Sequence, residues 1–266
     1  MNYLIAIIFG AVQGATEFFP VSSSGHLALL HRFLRIPLAN ELSFDVALHL
    51  ATLFALVYFF RKDVLRLALA WFRSFGGSSS PESRFAWIII IGTLPAVLIG
   101  AFLNDLAETA LRSPWIIAAA LGSVAVVFFL IERLGRQNLT ADDLNWRSGL
   151  AIGTAQGLAL IPGVSRSGIT IIAGMALGLK RSEAARFSFI LSMPIIAGAA
   201  FKELPKIMNG PGMGGGSLLL AIAFLAALVT SFAAIKYFLK FTENHSLRPF
   251  AWYRLALAAL VLLFLA

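Results

Sequence analysis

Residues 10–27, GAVQGATEFFPVSSSGHL, align without a gap on residues 153–170, GTAQGLALIPGVSRSGIT, and 7 of the 18 aligned positions are identical. The two copies begin 143 positions apart in a chain that is otherwise strongly apolar. Glycines, serines and ionisable groups are costly in hydrocarbon, so polar residues retained in such surroundings usually serve a function. The duplication therefore predicts two half-sites of one buried polar site.

The composition is that of a membrane protein. Hydrophobic residues make up 59% of the 266 residues, charged residues make up 13%, and the mean hydropathy is +0.86. These values predict an all-α polytopic membrane protein. The net charge of +8 is what the positive-inside rule gives such a protein, so the lipid bilayer is the expected partner and nucleic acid is not. Cysteine is absent, which excludes disulfides, thiolate metal sites and cysteine nucleophiles.

Six apolar runs are long enough to cross a bilayer, because about 20 helical residues span its hydrocarbon. The predicted crossings are residues 43–60, 84–103, 114–132, 183–206, 216–240 and 249–265. The remaining apolar pieces flank the two polar copies and are residues 2–19 with 25–35, and 148–161 with 168–179. Pro, Gly and Ser residues interrupt each of these pairs, which predicts a re-entrant helical hairpin with the polar copy at its tip.

Each half then contains one hairpin and three crossings, with repeat 1 at about 1–135 and repeat 2 at about 146–266 of a single membrane domain. An odd number of crossings turns the second half upside down, so we expect an inverted repeat whose two tips meet near the bilayer midplane. The charges agree, because fifteen of the 21 Lys and Arg residues fall in segments predicted to be cytoplasmic. Those segments are residues 61–84, 133–147, 180–186 and 236–254.

Arg166 lies in the polar turn PGVSRSG, residues 162–168. A guanidinium near the bilayer centre needs a partner, and its planar fork of donors suits a phosphate or a carboxylate. Gly163 lets the backbone approach a ligand, Ser165 and Ser167 offer hydroxyls, and the following helix directs free N–H groups at an anion. The alternative is structural: one of these serines is only an N-cap, and Arg166 pairs with a carboxylate.

Glu17 follows Gln13 by one helical turn, so the two side chains are expected on the same helix face. Their oxygens suit a hard cation, and Glu17 alone could act as a base. Glu17 could equally be the salt-bridge partner of Arg166.

The first copy also contains three consecutive serines, residues 22–24, followed closely by His26. A hydroxyl, an imidazole and a carboxylate together are the groups of an activated nucleophile. Three serines in a row are also a common turn composition, so a structural interpretation stays open. Asp45 and His49 are four residues apart in the first predicted crossing and could form a proton path, a pair that supports the site residues from behind, or a packing hydrogen bond. We favour the structural role, and His31 is expected to be solvated.

The two polar copies resemble the signature motifs of the undecaprenyl-diphosphate phosphatase family, the bacitracin-resistance proteins. Residues 13–26, QGATEFFPVSSSGH, are similar to the family's Glu/Gln-x-x-x-Glu motif and the serine–histidine region after it. Residues 162–170, PGVSRSGIT, match its Pro-Gly-x-Ser-Arg-Ser-x-x-Thr motif throughout. The length, the apolar character and residues 185–189, ARFSF, fit as well, so the resemblance spans nearly the whole chain.

This resemblance implies an integral enzyme of the bacterial plasma membrane that hydrolyses undecaprenyl diphosphate to undecaprenyl phosphate and inorganic phosphate. The reaction recycles the lipid carrier of cell-wall synthesis, and bacitracin sequesters the same diphosphate. The resemblance also implies inverted repeats with re-entrant helices, and a divalent cation, Mg²⁺ or Ca²⁺, as cofactor. Gln13 takes a position that is Glu in many members, which removes one negative charge from a cation site shared with Glu17.

By position, the resemblance implies catalytic roles for Glu17, Ser23, His26 and Arg166. Substrate-binding residues are expected at Ser22, Ser24, Gly163, Ser165, Ser167 and Thr170. The nucleophile is left open between Ser23, His26 and water, and the base of Ser23 between His26 and Glu17.

A secondary transporter or lipid flippase is the rival function, because inverted repeats with broken helices at the midplane are common in transporters. The density of hydroxyl, imidazole, carboxylate and guanidinium groups at the tips favours an enzyme. The sequence leaves open the isoprenoid length, the side of substrate entry and the formation of a homodimer.

Overall fold

The computed structural model describes residues 2–34, 41–108, 111, 113–209 and 216–265. The helices of the first half are α1 (Tyr3–Thr16), α2 (Ser23–Leu34), α3 (Glu41–Phe59), α4 (Arg61–Ser74), α5 (Pro81–Glu108) and α6 (Pro114–Leu134). Those of the second half are α7 (Trp146–Gly157), α8 (Arg166–Ala176), α9 (Arg181–Asn209), α10 (Gly216–Asn244) and α11 (Arg248–Leu265). Within the described ranges the structure has no β-strand beyond one isolated bridge between Leu139 and Leu179, which confirms the all-α prediction.

Four helical stretches of the described chain are long and apolar enough to cross a membrane. They are Pro81–Phe102, Pro114–Leu134, Arg181–Glu203 and Leu218–Asn244, and they coincide with four predicted crossings. A fifth candidate is the pair α3 and α4, which passes the same test only as a bent unit. The chain is therefore a multi-pass membrane protein, as its composition predicts. The last predicted crossing, residues 249–265, forms α11, and its passage through the bilayer stays a prediction.

The two polar copies each connect a pair of short helices. α1 has 14 residues and α7 has 12, so they are about 21 and 18 Å long, less than the roughly 30 Å of the hydrocarbon. Each is followed by an irregular break and a second short helix, α2 or α8. The expected helix–break–helix pairs are thus present, and their re-entry into the bilayer stays a prediction.

Each short helix packs along a long helix of the other half, α1 on α10 and α7 on α5. The duplicated glycines make this approach feasible: a Cβ on Gly10 would meet the backbone carbonyl of Ala223, and one on Gly153 would meet the backbone of Gly92. These glycines therefore serve helix packing rather than the polar site that the duplication predicts. The halves also meet through α6 with α11 and through α3 with α9.

Candidate active site

The breaks after α1 and α7 have the same backbone geometry at matching positions. Ser22 and Ser165 align in the repeat, and both adopt positive φ, 73° and 70°. In each copy the serine Oγ accepts a hydrogen bond from the glycine N–H three residues later, at 3.3 Å from Gly25 and 3.2 Å from Gly168. A non-glycine residue rarely holds this conformation, and such strain concentrates at functional sites.

The two breaks contact each other directly. The N–H of Gly163 donates to Ser24 Oγ at 3.4 Å, and Ser167 Oγ donates to the Phe19 carbonyl at 3.2 Å. Ser24 and Ser167 occupy matching positions of the repeat, so the equivalent serine of each copy forms a hydrogen bond with the backbone of the other copy. The expectation that the two polar copies meet is confirmed for the described residues, and their place at the bilayer midplane stays a prediction. Helices α2 and α8 both begin at this junction.

The Glu17 carboxylate is the centre of the junction and is only 6% exposed. Its Oε1 accepts from Arg166 Nη2 at 2.5 Å. Its Oε2 accepts from Ser23 Oγ at 2.7 Å and from Gln13 Nε2 at 2.9 Å, and it lies 3.3 Å from His49 Nε2. Residues from α1, α2, α3 and α8 therefore converge on one buried carboxylate.

Arg166 keeps a donor free beside this carboxylate. Its side chain is 16% exposed, and its Nε is buried without a hydrogen-bond partner in the part of the chain that the structure describes. A buried donor without a partner is costly, so such a group normally has a ligand in the working state. The salt bridge to Glu17 and an anion-binding role are therefore compatible.

The ring nitrogens of His26 contact neither a serine hydroxyl nor the Glu17 carboxylate, so His26 is not placed to act as the base of Ser23. Its Nδ1 lies 2.8 Å from the carbonyl oxygen of Ser22, and its Nε2 lies 2.7 Å from the hydroxyl of Tyr253 on α11. The imidazole also stacks on the Tyr253 ring, with 6° between the planes. Both ring nitrogens of His26 are engaged elsewhere, whereas the Glu17 carboxylate lies within hydrogen-bonding distance of Ser23 Oγ.

Thr170 forms hydrogen bonds to the first turn of α8 and to Ser188 of α9. Its hydroxyl is 2.8 Å from the Arg166 carbonyl and 2.6 Å from Ser188 Oγ, and the residue is 1% exposed. This geometry fixes the first turn of α8 and leaves substrate contact by Thr170 as a prediction.

Known proteins are similar to this chain over nearly its whole length. The profile described as bacitracin resistance protein BacA matches residues 6–260. The chain belongs to the BacA family. A protein of Rubrobacter xylanophilus named undecaprenyl-diphosphatase is 48% identical over 98% of this chain and 97% of its own length. One of the same name from Paenarthrobacter aurescens is 39% identical, over 99% and 98%. Undecaprenyl-diphosphatase 1 of Pseudoalteromonas translucida is 40% identical, over 100% and 99%.

In this BacA-family chain, Gln13 and Glu17 offer few free ligands for a metal. Oε1 of Gln13 is buried without a hydrogen-bond partner among the described residues, whereas both Glu17 oxygens already accept bonds. The described residues also contain no group of three or more His, Asp, Glu or Cys side chains placed to hold a metal ion. The pair fits a cation that takes most of its ligands from a diphosphate and water, as Mg²⁺ commonly does, rather than one held by protein alone.

Arg254 of α11 was not identified as a site residue from the sequence, in which it ends a segment predicted to be cytoplasmic. Its side chain is fully buried and donates to carbonyl oxygens of both breaks, at 3.2 Å to Pro20, 2.7 Å to Gly163 and 3.1 Å to Val164. It also donates to Leu121 on α6 at 3.3 Å. Its guanidinium therefore ties the two breaks together, and the cytoplasmic position of this segment stays a prediction. The position of a single Arg inside the apolar run 249–265 was the feature of the sequence that could have indicated a buried, functional Arg254.

His49 was assigned a structural role with Asp45, yet its Nε2 faces Glu17 at 3.3 Å. Its Nδ1 lies 2.8 Å from the backbone carbonyl of Asp45, which fixes the orientation of the ring. The Asp45 carboxylate instead lies 3.0 Å from Nε2 of His31, whose side chain is only 9% exposed. The expectation of a solvated His31 is wrong, and His49 joins the site.

Proposed function

We propose that this chain is an undecaprenyl-diphosphate phosphatase that releases the terminal phosphate and returns undecaprenyl phosphate. The contact of Arg166, Glu17 and Ser23 across the two breaks carries this proposal, because it joins an anion-binding donor, a base and a hydroxyl at one point. The names of the full-length relatives support the same substrate. We place the protein in the bacterial plasma membrane, where hydrolysis recycles the carrier of cell-wall synthesis and accounts for the association of the BacA family with bacitracin resistance.

The diphosphate binds between the starts of α2 and α8. The N–H groups of Gly25 and Gly168 are capped by Ser22 and Ser165, but the positive ends of two helices still meet at this junction and attract an anion. Arg166 adds a full positive charge and the free Nε donor. The hydroxyls of Ser22, Ser24, Ser165 and Ser167 line the two turns and supply further hydrogen bonds.

Ser23 is the nucleophile that the geometry favours, with Glu17 as its base. As Ser23 Oγ bonds to the terminal phosphorus, its proton passes to Glu17, 2.7 Å away, and the bond from that phosphorus to the bridging oxygen breaks. Undecaprenyl phosphate leaves, and water then hydrolyses the phosphoserine to inorganic phosphate. Arg166 stabilises the charge that develops on the transferring group.

We expect the reaction to need a divalent cation, Mg²⁺ or Ca²⁺. When bound, it offsets the negative charge of the phosphates. The Gln13 carbonyl and the Glu17 carboxylate are the residues that would contact it, because the Gln13 oxygen is buried and unpaired among the described residues. Gln13 also donates to Glu17 and so orients the carboxylate toward the junction.

The halves form an inverted repeat with re-entrant hairpins. The reciprocal packing of α1 on α10 and α7 on α5 supports this topology, as do the matching serine contacts of the two breaks. The polyprenyl tail then stays in lipid while the diphosphate reaches the junction.

The function is tested by phosphate release from undecaprenyl diphosphate by purified protein in detergent, with Mg²⁺, with Ca²⁺ and with chelator. We expect cation-dependent release that Glu17→Gln abolishes, because the amide cannot accept the Ser23 proton. Acid-quenched protein should carry phosphate on Ser23 and not on Ser24. No release from folded protein would refute the proposal and favour lipid or anion transport through the same junction.

A further inference from the structure

Helix α4 has no place in the proposed reaction. It follows α3 after a bend of 80°, so it runs nearly at right angles to that apolar helix. None of its residues is fully buried. The contact of Arg186 Nη2 on α9 with Asp63, at 2.9 Å, fixes its rotation against the rest of the molecule.

One face of α4 packs on the protein, and a second apolar face does not. Val64 and Leu67 pack against the main core, and the Trp71 ring lies 5.9 Å from Trp87 of α5. By contrast, the exposed fractions are 61% for Leu65, 46% for Leu69 and 64% for Phe72. These three residues are spaced i, i+4 and i+7, so they form one stripe along the helix. We call it the apolar stripe of α4.

A basic stripe runs beside the apolar one. Lys62, Arg66 and Arg73 are exposed, and at 100° per residue their positions fall on the helix side next to Leu69. An apolar face bordered by Lys and Arg is typical of a helix that lies in the membrane interface. The basic residues of such helices bind anionic headgroups.

We propose that α4 is an interfacial helix, with its apolar stripe inserted among acyl chains and its basic stripe binding anionic phospholipid headgroups. The bend after α3 brings it parallel to the membrane surface, and the packed face holds it there. Charge complementarity identifies the partner as anionic lipid, since the basic stripe faces the headgroup layer when the apolar stripe is inserted. This inference requires only that the chain spans a membrane, and it does not depend on the phosphatase activity.

The insertion is tested with nitroxide labels, because the chain has no cysteine and each introduced cysteine is unique. Phe72→Cys reports on the apolar stripe, and Ser79→Cys in the exposed connection after α4 is the matched control. In vesicles of phosphatidylcholine and phosphatidylglycerol, we expect the label at 72 to be accessible to oxygen and shielded from a water-soluble nickel complex. Equal access of nickel to both labels would overturn the proposal.

Headgroup binding is tested by the association of spin-labelled phosphatidylglycerol, relative to phosphatidylcholine, with the reconstituted full chain. The variant Lys62→Gln/Arg66→Gln/Arg73→Gln should lower this preference at least about fivefold, the effect of one basic residue at an anionic surface. The control Arg133→Gln/Arg136→Gln/Arg147→Gln removes the same charge from exposed residues elsewhere. An unchanged preference in the α4 variant, or an equal loss in the control, would refute headgroup binding by α4.

Discussion

Nη2 of Arg166 lies 2.5 Å from Oε1 of Glu17, although the two residues are 149 positions apart. Arg166 aligns with Ser23 in the repeat, and Ser23 donates to the other oxygen of the same carboxylate. The repeat thus places two different donors at one position of its two copies and directs both at one acceptor. The site is symmetric in backbone and asymmetric in chemistry.

Replacing Arg166 tests the need for a guanidinium. We expect Arg166→Ala to lower phosphate release about 10³-fold, the scale of losing a charge that stabilises a phosphoryl transition state. Arg166→Lys should recover only part of this, because an ammonium cannot contact Glu17 and a phosphate as a planar fork. Steady-state kinetics of folded protein check this, and near-normal turnover of Arg166→Lys would contradict the role of the free Nε.

Ser23 and Ser24 provide a matched pair for the nucleophile. Ser23→Ala should lower kcat at least about 10³-fold, since it removes the attacking oxygen. Ser24→Ala removes a hydroxyl that contacts the Gly163 N–H, and about a tenfold loss is expected. Equal effects of the two variants on kcat would favour direct attack by water.

Substituting a glycine of the short helices should change the stability of the protein without altering any group of the candidate active site. Gly153→Ala should destabilise the protein by about 1–3 kcal/mol, because its Cβ would collide with the backbone of α5 at Gly92. Gly122→Ala on α6 is the control, since a Cβ there meets no atom within 4 Å, and alanine favours a helix by about 1 kcal/mol. Thermal unfolding in detergent should separate the two variants, and equal melting temperatures would contradict the packing of α7 on α5.

Arg254 should act on both stability and turnover. Arg254→Met leaves the buried carbonyls of Pro20, Gly163 and Val164 without this donor, at an expected cost of at least about 3 kcal/mol. Folded protein should also turn over more slowly, because the two breaks lose their common support. Arg248→Met on the same helix is the control, as Arg248 is exposed. A melting temperature of Arg254→Met equal to that of Arg248→Met would be evidence against the clamp.

The sequence predicted the parts of the molecule that depend on local pattern. Apolar runs located the long helices, and the duplicated polar copies located the breaks and their contact. The contact of Glu17 with Arg166 was one of the alternatives that the sequence left open, because each charge needs a partner in an apolar setting. The sequence did not reveal the site contacts of His49 and Arg254, since these contacts arise only when α3 and α11 pack against the breaks. In the sequence, the glycines of α1 and α7 belong to the polar copies and suggest a ligand-binding loop. Only the packed structure shows that they allow the close approach of α10 and α5.

The central claim is that Glu17 and Arg166, from opposite halves, form one catalytic unit. A double-mutant cycle tests it with Glu17→Ala, Arg166→Ala and the double variant, measuring kcat/KM for undecaprenyl diphosphate. When two residues act as a unit, the losses in kcat/KM from their single substitutions do not multiply. The kcat/KM of the double variant should therefore be about that of the less active single variant. Losses that multiply would show that the two residues act independently and would contradict the account.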